Sequence, residues 1–167
     1  MYAVLNPPDR LPARKRVEAA LVHQKLYYHR VGTPQAQDRL IYERPDLPKW
    51  FVGGGATEDG RYLLVSIQEG SERKNRLYHA DLGDPLHPQL GAPMVAIVDE
   101  DVAEFSVVGN ADSIFFVRTD AEAPNRRVIA IDSRLRMGRT GWKTLIPERK
   151  EPLEDLAYVG GKLFAHY

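Results

Sequence analysis

An all-β protein assembled from repeated four-stranded antiparallel meanders is what this sequence predicts, and three observations predict it. First, residues 50–98 break into short runs rich in β-branched and aromatic residues: Trp50-Phe51-Val52, then 61–67, 75–82 and 93–98. Gly, Asp, Asn or Pro bounds each run, as turns bound strands. Second, the same succession returns from residue 103 to 146: turn, apolar strand, loop, strand ending in Asp, loop, outer strand. Third, a meander that repeats every ~40–50 residues has the period of propeller blades. The predicted fold is therefore a partial β-propeller of about three blade-equivalents, two complete blades and two half blades.

The bulk properties agree. A chain of 167 residues, 43% of them hydrophobic, is long enough for one domain with a real core. Lys plus Arg equals Asp plus Glu at 23 each, so no net field favours nucleic acid or an anionic membrane as partner. There is no Cys, which excludes a disulfide framework, a thiolate metal site and a Cys nucleophile, and suits a reducing compartment. No apolar run is long enough to span a bilayer, and Met1-Tyr2-Ala3-Val4-Leu5 before the prolines is too short for a signal-peptide core. The expectation is a cytoplasmic protein without cofactor.

Residues 1–22 stand apart. Pro7, Pro8 and Pro12 break regular structure, and Arg10, Arg14, Lys15 and Arg16 form a basic run, with a short helix over 13–22 favoured by composition. The β pattern begins at Lys25: a strand over 25–31, a turn at Gly32-Thr33-Pro34-Gln35, and an antiparallel partner over 38–43. Pro45 and Pro48 mark the passage to the first full meander. There Thr57-Glu58-Asp59-Gly60 makes the tight turn, with Gly60 supplying a positive φ. The near-continuous apolar run after it reads as a strand covered on both faces. Gly53-Gly54-Gly55 and Gly160-Gly161 read as turn glycines, since neither completes a phosphate-binding loop. In the second meander Ser113-Ile114-Phe115-Phe116-Val117-Arg118 is the most apolar strand. Leu156-Ala157-Tyr158-Val159 and 162–167 open one more unit. The expected organisation is a non-matching segment 1–22, a half blade 23–47, blades 48–98 and 99–147, and a half blade 148–167. Complete rings need roughly four to eight blades, so the chain reads as a piece of a longer protein.

Particular residues then carry a resemblance. His23-Gln24-Lys25-Leu26-Tyr27-Tyr28-His29, Gly32-Thr33-Pro34-Gln35, Pro48-Lys49-Trp50, Asp59-Gly60-Arg61-Tyr62, Glu69-Gly70 and Asn75-Arg76-Leu77-Tyr78 resemble the propeller of the prolyl oligopeptidase (prolyl endopeptidase) family. Pro124-Asn125-Arg126 and 142–147 continue the match. The resemblance implies a serine peptidase that cleaves short peptides after proline, its propeller capping an α/β-hydrolase domain and gating access to it. The nucleophilic Ser, the Asp and the His of that family lie in the hydrolase domain, and these 167 residues contain no G-x-S-x-G elbow. The chain by itself is thus expected to have no catalytic residues, with the hydrolase domain and further blades as its partners. The family's outer substrate subsite carries over to Phe51, Gln68 and Ser71. Members often have Met, Arg and Cys there, so this subsite would be less charged and lack the thiol. For Phe51 a packed blade residue is an equally weighted reading; for Gln68 and Ser71 an exposed loop carries somewhat more weight than the substrate role.

Other constellations are weaker. No two of the five His stand at metal-ligand spacing with a carboxylate helper, so no metal is expected. His79 and Asp81 share a strand face and with Ser66 would spell a triad, but polar residues are common in blade strands. Glu100, Asp101 and Glu104 read as an exposed loop, not a calcium site. The alternative to a gating propeller is a stand-alone β-repeat module that recruits protein partners. Either way, unpaired strand edges predict self-association.

Overall fold

The computed structural model describes the backbone of residues 2–4 and all atoms of 22–135 and 138–167. Among the described residues the regular elements are thirteen strands and two short 3₁₀ turns, and no helix is long and apolar enough to cross a membrane. The strands are β1 (Tyr2–Val4), β2 (Lys25–Tyr28), β3 (Arg39–Glu43), β4 (Trp50–Ala56), β5 (Tyr62–Glu69), β6 (Arg76–Asp81) and β7 (Val95–Val98). They continue as β8 (Phe105–Ala111), β9 (Ile114–Thr119), β10 (Arg127–Asp132), β11 (Lys143–Ile146), β12 (Asp155–Val159) and β13 (Lys162–His166). Four sheets result, with orders β1-β2-β3, β4-β5-β6-β7, β11-β10-β9-β8 and β12-β13. The two meanders are there, none of the sheets closes on itself, and the all-β partial-propeller reading stands. The chain divides into two compact units, Met1–Glu72 with His79–Met94, and Arg73–Tyr78 with Val95–Tyr167.

In the first unit β2 and β3 pair as read, but they are not alone. Tyr2–Val4 adds a third strand, with Tyr2 opposite Tyr27 and Val4 opposite Lys25. The sequence reading had left this stretch irregular. The row of N–H and C=O groups on the far side of β2 must find partners, and Tyr-Ala-Val is a β-prone run that supplies them. β1, β2 and β3 thus form a three-stranded sheet. The helix expected over 13–22 falls almost wholly outside the described residues.

A second correction concerns Gly53-Gly54-Gly55. These are not a turn: they lie inside β4, paired with Ser66, Val65 and Leu64 of β5. The reason is a close approach. A Cβ on Gly54 would stand 2.5 Å from the Leu26 side chain, which is itself fully buried. Gly54 is the position that admits Leu26, and the chain turns only at 57–60, where Gly60 has φ 71°. In β5, Tyr62 and Leu63 point to opposite faces, yet both are at most 2% exposed. That bears out a strand covered on both sides.

The second unit repeats the logic. Val128 and Ile129 are consecutive in β10 and both fully buried. Val128 joins Leu153 and Leu156 in a cluster against which Ile146, Leu163 and Tyr167 pack. The β12–β13 hairpin closes between Val159 and Lys162, with Gly160 and Gly161 at φ 56° and 75°. Two positive φ values in a two-residue loop are the mark of a type I′ turn, so this glycine pair is a turn as read.

Candidate functional site

The three residues assigned to substrate fall at one end of the β4–β5 ladder. Phe51 and Gln68 are cross-strand partners, and directly opposed residues share a face. Trp50 and Val52 turn to the other face, 8% and 4% exposed, where they join the core. Phe51 stays half-buried. Gln68 is half-buried too, and its Nε2 donates to the Gly70 carbonyl at 3.4 Å. Ser71 is exposed in the turn that the Glu72 N–H closes onto the Glu69 carbonyl at 3.0 Å. The structure thus brings Phe51 and Gln68 face to face and sets Ser71 on the adjoining turn.

Chemically, this end of the ladder is a binding surface and nothing more. An aromatic face gives apolar contact area, a carboxamide gives one donor and one acceptor, and a hydroxyl gives either. None of these is a nucleophile with a base beside it.

Gln24, to which the sequence pattern assigns no role, stands next to them. The Gln24 side-chain oxygen accepts the Val52 N–H at 3.0 Å, fixing the strand segment that carries Phe51. Gln24 also lines a shallow depression of about 190 Å³ with His23, Lys25, Glu43, Arg44 and Pro45.

The rejected constellations have structural roles. His79 is 6% exposed and meets the Tyr62 ring edge-on at 5.7 Å. Asp81 spends its oxygens on the Arg61 guanidinium at 3.2 and 3.0 Å and on the Gly83 N–H. The Arg61 hydrogen bonds hold its carboxyl below the usual value, so it is ionised and paired, not poised as a base. Asp132 repeats this at the end of β10, where Arg134 first and the Ser113 hydroxyl after it push its carboxyl well below the ordinary range. In the acidic loop, Glu100 pairs with Arg139 at 2.8 Å and Glu104 with Arg126 at 3.7 Å.

Known proteins share this sequence and fold. Prolyl oligopeptidase A of Galerina marginata is 36% identical over 140 residues, which is 84% of this chain and 18% of that protein. A prolyl endopeptidase of Elizabethkingia meningoseptica is 34% identical over 143 residues, 86% of this chain and 19% of its own length. Among solved structures, prolyl oligopeptidase B from Galerina marginata bound to a 35mer hydrolysis and macrocyclization substrate superposes with a TM-score of 0.79 at 27% identity. That likeness covers 86% of this chain and 20% of the other. The chain therefore spans about a fifth of the length of these relatives. The family model described as "Prolyl oligopeptidase, N-terminal beta-propeller domain" matches residues 2–167, taking in the stretch set apart at 1–22. With nearly every residue inside that match, the chain belongs to the prolyl oligopeptidase N-terminal β-propeller family.

Proposed function

We propose that this chain forms part of the substrate-gating propeller of a prolyl oligopeptidase-like serine peptidase that cleaves short peptides after proline. Phe51, Gln68 and Ser71 contact the substrate residues N-terminal to proline. The support is the placement of Phe51 opposite Gln68 beside an exposed turn, in a chain that the propeller family matches almost throughout. Catalysis belongs to an α/β-hydrolase domain, which with further blades is this chain's partner. The balanced charge and the absence of Cys fit a cytoplasmic setting without nucleic acid, membrane, metal or cofactor. In isolation the chain associates with itself through open strand edges and through blade faces left uncovered.

The test is a titration of the ¹⁵N-labelled chain with a short blocked Gly-Pro peptide, followed by amide shifts. Shifts centred on Phe51, Gln68 and Ser71 are expected, and Phe51→Ala should weaken binding about tenfold, the equivalent of ~1.4 kcal/mol. Shifts confined to other strands would sink the assignment. A chromogenic prolyl peptide should not be turned over by these 167 residues, and measurable turnover would overturn the claim that catalysis lies in another domain.

A further inference from the structure

Three carboxamide side chains occupy one position of the repeat. Gln24 immediately precedes β2, Asn75 immediately precedes β6, and Asn125 stands two residues before β10. In the β4–β7 and β8–β11 sheets, β6 and β10 are the third strands in chain order. β2 corresponds to them, since β1 and β3 flank it as second and fourth strands flank a third.

Each amide binds backbone within or ahead of the first strand of the following sheet. Gln24 Oε1 accepts the Val52 N–H in β4. Asn75 accepts the Phe105 N–H at 2.7 Å and donates to the Phe105 carbonyl at 2.9 Å, at the first residue of β8. Asn125 donates to the Arg149 and Lys150 carbonyls at 3.1 and 3.2 Å, ahead of β12. A backbone bond accompanies each one: His23 N–H to the Pro48 carbonyl, Asn75 N–H to the Ala103 carbonyl, and Leu153 N–H to the Asn125 carbonyl. Pro48, Ala103 and Leu153 all lie two residues before the first strand of the next sheet.

We propose that Gln24, Asn75 and Asn125 are three copies of one clamp, which fastens the entry of each blade's third strand to the backbone leading into the next blade. Gln24 has a second consequence. Among the described residues β4 is the edge of its sheet, so none of them pairs as a strand with its outward N–H groups, and Gln24 meets the one beside Phe51. Gln24 is a positioning residue for Phe51; for that part alone the inference rests on the peptide reading above.

The three copies use different atoms, which makes the idea testable. Gln24 only accepts, Asn75 accepts and donates, and Asn125 only donates through its side chain. Amide hydrogen exchange of the 167-residue chain reads the two clamps that accept from a backbone N–H, Gln24 at Val52 and Asn75 at Phe105. Gln24→Met should speed exchange at Val52 about tenfold, the weight of one net hydrogen bond, and leave Phe105 unchanged. Gln24→Glu keeps an acceptor and should restore Val52 protection. Asn75→Asp keeps the acceptor for the Phe105 N–H and loses only the donor to its carbonyl, so it should restore the Phe105 protection that Asn75→Leu loses. Unchanged exchange at Val52 in Gln24→Met would overturn the proposal, as would a rise spread evenly over both units, or a Gln24→Glu chain as unprotected as Gln24→Met. The peptide titration is independent. Lost peptide shifts with intact clamp behaviour would remove the role toward Phe51 and leave the clamps standing.

Discussion

Replacing Asn75 by Ala is expected to lower stability by about 3–4 kcal/mol. Asn75 is 4% exposed, and its carboxamide satisfies both the N–H and the carbonyl of Phe105, a residue itself 3% exposed. Truncation leaves both backbone groups buried without partners, and each orphaned group costs ~1–3 kcal/mol. Domains of this kind hold only ~5–15 kcal/mol in total, so the loss is a large share. It is measured as a fall in the urea midpoint at constant m-value. Asn125→Ala is the internal control. Its bonds are exposed to solvent, water can replace them, and its cost should be well under half as large. Equal losses at the two positions would show that burial does not set the price.

Self-association of the isolated chain is expected to yield to two substitutions in β12–β13. Phe164 lies opposite Ala157, and Val159 is two residues further along the same strand, so Val159 and Phe164 share a face. They are 61% and 59% exposed. The other face carries Leu156, Tyr158 and Leu163, with Leu156 only 7% exposed and Tyr158 against the Phe116 ring at 4.8 Å. Covering a Val or Phe side chain gains ~1.5–3 kcal/mol, and a second copy is the partner available in a pure solution. Light scattering should find oligomers in the unaltered chain and a shift towards monomer in the Val159→Lys, Phe164→Lys double variant. A monodisperse monomer in the unaltered chain would refute the expectation. Oligomers that ignore the double variant would transfer the association to the open strand edges.

How much of this was legible in the residues depends on how local each cause is. The strands from β4 to β13 were readable because period-2 burial and β-branched runs are local signals. Turns with a left-handed residue, such as Gly60 and Gly160-Gly161, were readable for the same reason. Tyr2–Val4 was missed because its partner β2 lies more than twenty residues away, and nothing in a three-residue run announces a distant pairing. Gly53-Gly54-Gly55 departs from the expected turn because glycine runs usually punctuate, whereas here the tertiary approach of Leu26 leaves no room for a Cβ at Gly54. For the site, the resemblance supplied Phe51, Gln68 and Ser71, but the Phe51–Gln68 opposition depends on register. The amide clamps were within reach, since Asn75 and Asn125 lie about 50 residues apart, near one blade period. What they bind was not, because every acceptor or donor is backbone.

The glycine turn between β12 and β13 also sets a timetable. A hairpin with a two-residue type I′ loop needs no distant segment and closes in ~1–10 μs. The pairing of Tyr2 with Tyr27 must first close a long loop, whose entropy cost grows with the logarithm of its length. Ribosomal synthesis delivers the chain in the opposite order, amino end first. This fast-forming hairpin therefore emerges well after β1, and β1 has to wait until β2 has been made before it can pair with Tyr27.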